Sequence, residues 1–133
     1  MYNNLPSEVD TKELIKLSLE RGKIVALPRV CGEQLRFYKI NFFNTKLEKS
    51  KFGIEEPIED ELNYIDKSKI DLIIVPGVCF DKKYNRLGFG KGYYDKFLIN
   101  FMLDTIGICF NEQIVDEIPV RKNDIKVKKI ISN

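Results

Sequence analysis

The apolar positions of this chain fall into short blocks whose period changes from helix to strand and back. Leu14, Ile15, Leu17 and Leu19 give one apolar side to residues 10–21, Asp10 followed by Glu13 has the spacing of a capping box, and Gly22 stands where a helix would stop, so a helix over 10–21 is predicted. Residues 24–27 predict a short buried strand ended by Pro28, Arg29 begins a turn, and residues 35–40 predict a second strand. Residues 44–71 are charged and weakly periodic, which predicts loops with at most one short helix. The run DLIIVPGV at 71–78 is near-continuous and apolar, as a central strand covered on both faces would be, with Pro76 ending its pairing. A loop follows, then a helix over 93–103, a buried strand over 105–110, a short helical turn within 111–119 and a last strand over 126–131. Strands alternating with helices predict an α/β fold with a mostly parallel layered sheet flanked by helices.

Length and composition narrow the class. One compact domain, 1–133, is expected, since the chain is too short for two ordinary ones. Charge is nearly balanced, with 22 Lys and Arg against 20 Asp and Glu, so no nucleic-acid or membrane partner is expected and any basic site must be local. No apolar run reaches the roughly 18 residues of a membrane helix, and Met1 is not followed by a signal-like segment; a cytoplasmic protein is expected. Cys31, Cys79 and Cys109 are odd in number and far apart, which fits buried reduced thiols rather than a disulfide framework. Histidine is absent, so acid, base and metal chemistry must rest on carboxylates, lysine, arginine, tyrosine or the backbone, a set suited to phosphate and magnesium.

The segment with the most chemistry is Arg86-Leu87-Gly88-Phe89-Gly90-Lys91-Gly92-Tyr93-Tyr94-Asp95. Three alternating glycines let the backbone adopt positive φ and turn successive N–H groups toward one anion, Arg86 and Lys91 add charge, and a helix beginning near Gly92 adds its positive end. A nucleotide-like ligand is expected at the carboxyl edge of the preceding strand. The pattern is neither a Walker A loop, because Lys91 precedes Gly92 and no Ser or Thr follows the lysine, nor the dinucleotide fingerprint, because Tyr93 occupies the place of the third glycine. Asp95 is also compatible with simple stabilisation of a first helical turn, one of Tyr93 and Tyr94 with a core position, and Arg29 with either a cleft or the surface.

The stretch IIVPGVCFDKKYNRLGFGKGYYDKFL at 73–98 resembles the signature of the 5-formyltetrahydrofolate cyclo-ligase family, also called methenyltetrahydrofolate synthetases. Four further blocks match in order: SEVDT at 7–11, ALPRV at 26–30, FGIEEP at 52–57 and IPVRKNDIKV at 118–127. The resemblance implies a Rossmann-like three-layer α/β domain that uses ATP and Mg2+ to cyclise 5-formyltetrahydrofolate to 5,10-methenyltetrahydrofolate, releasing ADP and phosphate. It implies ATP contacts at Arg86, Leu87, Gly88, Phe89, Gly90, Lys91, Gly92, Tyr93 and Tyr94, with Arg86 and Lys91 as the catalytic cations. Substrate contacts are implied at Asn3, Glu8, Phe89, Gly90, Lys91, Gly92 and Tyr93, and magnesium ligands at Asp95 and Asp124.

Departures from the family pattern are Tyr84, where glycine is common, and Asn123, where histidine is frequent. Family members also carry a basic helix and a first strand ahead of the Glu8 block. The chain is expected to lack that helix, which leaves open self-association of a family otherwise expected to be monomeric. Two other readings stand beside the enzyme: a folate- or nucleotide-binding module without catalysis, and a single-stranded nucleic-acid binder using Arg86, Lys91, Phe89 and the tyrosines. Balanced charge and the lack of a second basic-aromatic patch disfavour the last.

Overall fold

Helix α1 spans Lys12–Glu20 in the computed structural model, which describes residues 1–41 and 46–133. Its entry differs from the predicted capping box. Thr11 takes the N-cap position without a side-chain cap bond, because its buried hydroxyl donates instead to the carbonyl of Tyr2, while the Asp10 carboxylate accepts from Lys12 N at 2.9 Å. Gly22 ends the helix at φ +72°, the left-handed exit that glycine makes without a Cβ clash. Ile15 and Leu19 pack against Val25, Leu27 and Ile40.

The chain divides into two compact units, Met1–Pro6 with Asp10–Ile70, and Ser7–Val9 with Asp71–Asn133. In the first, strand β1 (Val25–Cys31) pairs antiparallel with β2 (Gln34–Ile40), which pairs in turn with the two-residue β5 (Tyr64–Ile65). Contrary to the sequence expectation, Pro28 does not end β1 and Arg29 does not begin a turn. With the order β1-β2-β5, β1 lies at the edge of its ladder, where a missing N–H is tolerated. The reversal falls at Gly32-Glu33, between the paired Cys31 and Gln34, with positive φ at Gly32 alone among the two, the pattern of a two-residue hairpin led by glycine.

The segment expected as loops over 44–71 carries a small antiparallel pair, β3 (Leu47–Lys49) with β4 (Glu55–Pro57), besides β5 and a 3-10 turn at Lys67–Lys69. Positions 44 and 45 lie outside the described residues. Strands of two or three residues are too short to write a period into a charged sequence, and backbone pairing rather than burial defines them.

The second unit holds a parallel sheet of β6 (Leu72–Val75), β9 (Asp104–Cys109) and β11 (Lys129–Ser132) in the order β11-β9-β6. Its middle strand is therefore β9, not the 71–78 run that the sequence marks as central. Ile73, Ile74 and Val75 are nonetheless buried, because an apolar run reports burial and not the number of ladder partners. A second, mixed sheet has β7 (Cys79–Asp81) antiparallel to β8 (Arg86–Leu87) and parallel to β10 (Ile114–Val115). Helix α2 covers only Tyr93–Leu98, shorter than predicted, since Asn100 turns the backbone to φ +59°. The chain is thus mixed α/β, with parallel pairing confined to the second unit and antiparallel pairing throughout the described part of the first. No helix among the described residues is long and apolar enough to cross a membrane.

Candidate active site

The glycine-rich segment begins on β8 and ends in α2 of the second unit. Gly90 and Gly92 take φ +90° and +69°, so the bend that presents Lys91 is one an L side chain at either position resists. A Cβ on either would meet nothing within 4 Å, so the requirement is conformational and not steric. Gly88 differs: a Cβ there would stand 2.7 Å from Nη1 of Arg86. Lys91 and Phe89 at the loop tip are exposed, Phe89 by 59%.

Arg86 points the other way, beneath the loop. Its side chain is 5% exposed, Nη1 donates to the carbonyl of Pro76 at 3.1 Å, Nη2 lies 3.4 Å from Oδ1 of Asp95, and the guanidinium sits 5.6 Å from the ring centroid of Tyr94. Nε is buried without a hydrogen-bond acceptor. The two cations that the sequence treats alike therefore occupy different places, one exposed to solvent and one buried against Pro76 and Asp95.

Asp95 and Asp124 are brought to the same part of the unit. Oδ1 of Asp95 accepts from the N–H of Ile125 at 3.1 Å, the residue that follows Asp124, and Oδ2 of Asp124 accepts from Arg121 N at 2.7 Å. Among the described residues no group of three or more His, Cys, Asp or Glu side chains could hold a metal ion. The donor set fits a narrower case. Magnesium is commonly held by one or two carboxylates with the remaining positions filled by phosphate oxygens and water, and the recorded contacts fall on one oxygen of each aspartate.

Two residues that the sequence reading did not single out shape this region. Asp81 is fully buried on β7, where its carboxylate accepts from Lys83 N, Asn85 N, Asn85 Nδ2 and Ile118 N at 2.9–3.0 Å. Burial pushes its pKa up, but the four N–H donors, led by the Asn85 side chain, outweigh that and bring it down to about 2. Gln113 joins the carbonyls of Gly77 and Val78 through Nε2 and caps Phe110 N with Oε1. An acidic residue directly after the apolar Val78-Cys79-Phe80, at the point where the chain turns charged, was the one signal in the sequence that could have found Asp81.

Glu8 falls in the second unit and is buried; Asn3 falls in the first, where its amide donates to the carbonyl of Glu55. Of the three cysteines expected to be buried only Cys109 is; Cys31 and Cys79 are half-buried, and loss of water around each still pushes all three thiols up.

Comparison with known proteins bears on what this arrangement is for. The family model for the 5-formyltetrahydrofolate cyclo-ligase family matches residues 1–133. A probable 5-formyltetrahydrofolate cyclo-ligase of Schizosaccharomyces pombe is 34% identical, the match covering 99% of this chain and 72% of the relative. The cyclo-ligase of Mus musculus is 32% identical over 98% of this chain and 70% of its own length. The solved 5,10-methenyltetrahydrofolate synthetase of Aquifex aeolicus superposes with a TM-score of 0.82 at 34% identity, covering 98% of this chain and 66% of that one, just under two thirds. These matches define the class as ATP-dependent ligase enzymes. Within it, the chain belongs to the 5-formyltetrahydrofolate cyclo-ligase family.

Proposed function

We propose that this chain carries out the ATP- and magnesium-dependent cyclisation of 5-formyltetrahydrofolate to 5,10-methenyltetrahydrofolate, with release of ADP and phosphate. The observation that carries the reading is the exposed Lys91 set between left-handed Gly90 and Gly92, on a loop whose far end leads to two carboxylates suited to a phosphate-bound cation. In this reading residues 86–94 form the ATP contact. The backbone N–H groups of Gly88, Gly90 and Gly92 receive phosphate oxygens, and Lys91 neutralises the transferring group.

Arg86 contributes first by fixing the loop floor, through Pro76 and Asp95, and reaches a phosphate only by exchanging one of those partners. Exposed Phe89 and the neighbouring Gly90 to Tyr93 face the folate in this assignment, and Glu8 and Asn3 join as folate contacts on the strength of their place in the family motif alone. When bound, magnesium would supply charge neutralisation of the phosphates, and Asp95 and Asp124 are the residues that would hold it. The parallel sheet β11-β9-β6 is the part of the second unit on which a Rossmann-like layering would rest.

The chemistry asks mainly for positioning. A formamide oxygen leaves poorly, so the formyl oxygen first attacks the γ-phosphorus of ATP and ADP departs. The neighbouring folate nitrogen then attacks the formyl carbon and loses its proton, and the carbon–oxygen bond breaks as phosphate leaves. Holding donor and acceptor in line and countering charge on the transferring group account for most of such a rate enhancement.

The test is to incubate the purified chain with 5-formyltetrahydrofolate and magnesium ATP and follow the absorbance of the methenyl product, beside Lys91→Ala. Loss of one charge-assisted contact costs about 1.5–3 kcal/mol, so turnover is expected to fall roughly 10- to 100-fold in the variant. Absence of product from folded wild-type protein, or an unchanged rate in the variant, would refute the assignment.

A further inference from the structure

We propose that Asp81 is a positioning residue of the magnesium–ATP site, setting the carboxylate-bearing strap Ile118 to Val127 against the turn that feeds the glycine loop. The proposal rests on the functional reading above and extends it to a residue that touches neither ligand. Asp81 closes the turn 82–85 through Lys83 N, Asn85 N and Asn85 Nδ2, and the same carboxylate takes the N–H of Ile118 at 3.0 Å. The far end of the strap returns to that turn, where Val127 N donates to the carbonyl of Tyr84 at 3.0 Å. Between these two anchors lies Asp124, and Ile125 N reaches Asp95 on α2. A single buried anion therefore ties together the turn entering β8, which carries Arg86, and the strap carrying one of the two proposed magnesium carboxylates.

The choice of an acid at position 81 follows from the donors it meets. Among the described residues its recorded partners are four N–H groups and no basic side chain, so the carboxylate accepts at both oxygens and holds two chain segments at once. An asparagine there keeps the shape but must turn its NH2 toward one pair of donors, releasing either the turn or the strap. A merely stabilising residue and a positioning residue then differ in one observable, the gain in ATP affinity that magnesium confers.

ATP binding to the full chain is measured by titration calorimetry with and without magnesium, for wild type, Asp81→Asn and Ile73→Val, a core change in β6 that leaves the four donors of Asp81 in place. Asp81→Asn is expected to bind free ATP within about 2-fold of wild type while its magnesium-dependent gain falls by roughly 10-fold, the low end of losses on removing an outer-shell partner; Ile73→Val keeps the wild-type gain. An unchanged gain in folded Asp81→Asn overturns the proposal. If wild type itself shows no magnesium-dependent gain, the functional reading falls and this inference with it. If Asp81→Asn does not fold, Asn85→Ala, which removes the Nδ2 bond alone, decides: a gain reduced about 3-fold supports the role and a wild-type gain overturns it.

Discussion

Gly107→Ala is the substitution for which the packing of the second unit makes the firmest quantitative claim. Gly107 is in β9, paired with Val75 of β6 on one side and Ile130 of β11 on the other, so its backbone is held by ladders in both directions. A Cβ placed there would overlap Cε1 of Phe80 and stand 2.8 Å from Cζ and 3.0 Å from Cδ1. The fully buried ring cannot withdraw toward Gly77, because it already fills the space a Cβ there would need, with Cζ 2.8 Å from that position. Over-packing a filled core costs about 1–3 kcal/mol, and a ring clamped between two glycines on fixed backbone belongs at the upper end, about 3 kcal/mol. With a urea m value of about 1–3 kcal/mol/M, the unfolding midpoint should fall by about 1–3 M with m unchanged. The mechanism has a signature beyond magnitude. Phe80→Leu alone destabilises by leaving a void, yet combined with Gly107→Ala it frees the room the new methyl needs, so the pair should be less destabilised than the sum by about 2 kcal/mol. A Gly107→Ala protein within about 0.5 kcal/mol of wild type, or strict additivity with Phe80→Leu, would show that the ring is not clamped as described.

Two further outcomes follow from backbone strain and from the buried anion. Tyr84 sits at φ +66° in the turn closed by Asp81, in the left-handed region that costs a non-glycine residue about 1–2 kcal/mol, so Tyr84→Gly should exceed Tyr84→Ala in stability by about 1 kcal/mol, or about 4 °C in Tm; equal midpoints would remove the strain argument. The folded-state pKa of Asp81, about 2, lies below its ordinary 3.8, so its contribution is complete above pH 4 and is lost as pH falls from about 4 through 2. The shift corresponds to roughly 2 kcal/mol, and wild type should lose that much more stability than Asp81→Asn between pH 5 and 2 in urea titrations; parallel curves would sink the assignment.

Much of this protein could be read from its sequence, and the division between what was legible and what was not has a consistent cause. Features set by neighbours along the chain were visible: the amphipathic turns of α1 and the Gly22 exit, the buried runs of β6 and β9, and the glycine spacing that bends the backbone around Lys91. These depend on local φ preference and on which side chains leave water, and both are written in order along the chain. The family blocks added roles that composition could not supply.

Only the folded chain decided the rest. Whether Pro28 interrupts a strand depends on which edge of which ladder it occupies, and β7 and β8 are defined by pairing partners rather than by period. Arg86 and Lys91 are five residues apart and chemically alike, yet one is sealed under Gly88 against Asp95 and the other stands in solvent. Asp81 gathers donors from positions 83, 85 and 118, so its meaning arises from a contact spanning 37 residues. Sequence determined which groups could do phosphate chemistry without histidine; tertiary structure decided which of them stand in solvent and which are tied into the fold, because burial and partner choice are properties of segments brought together and not of any segment alone.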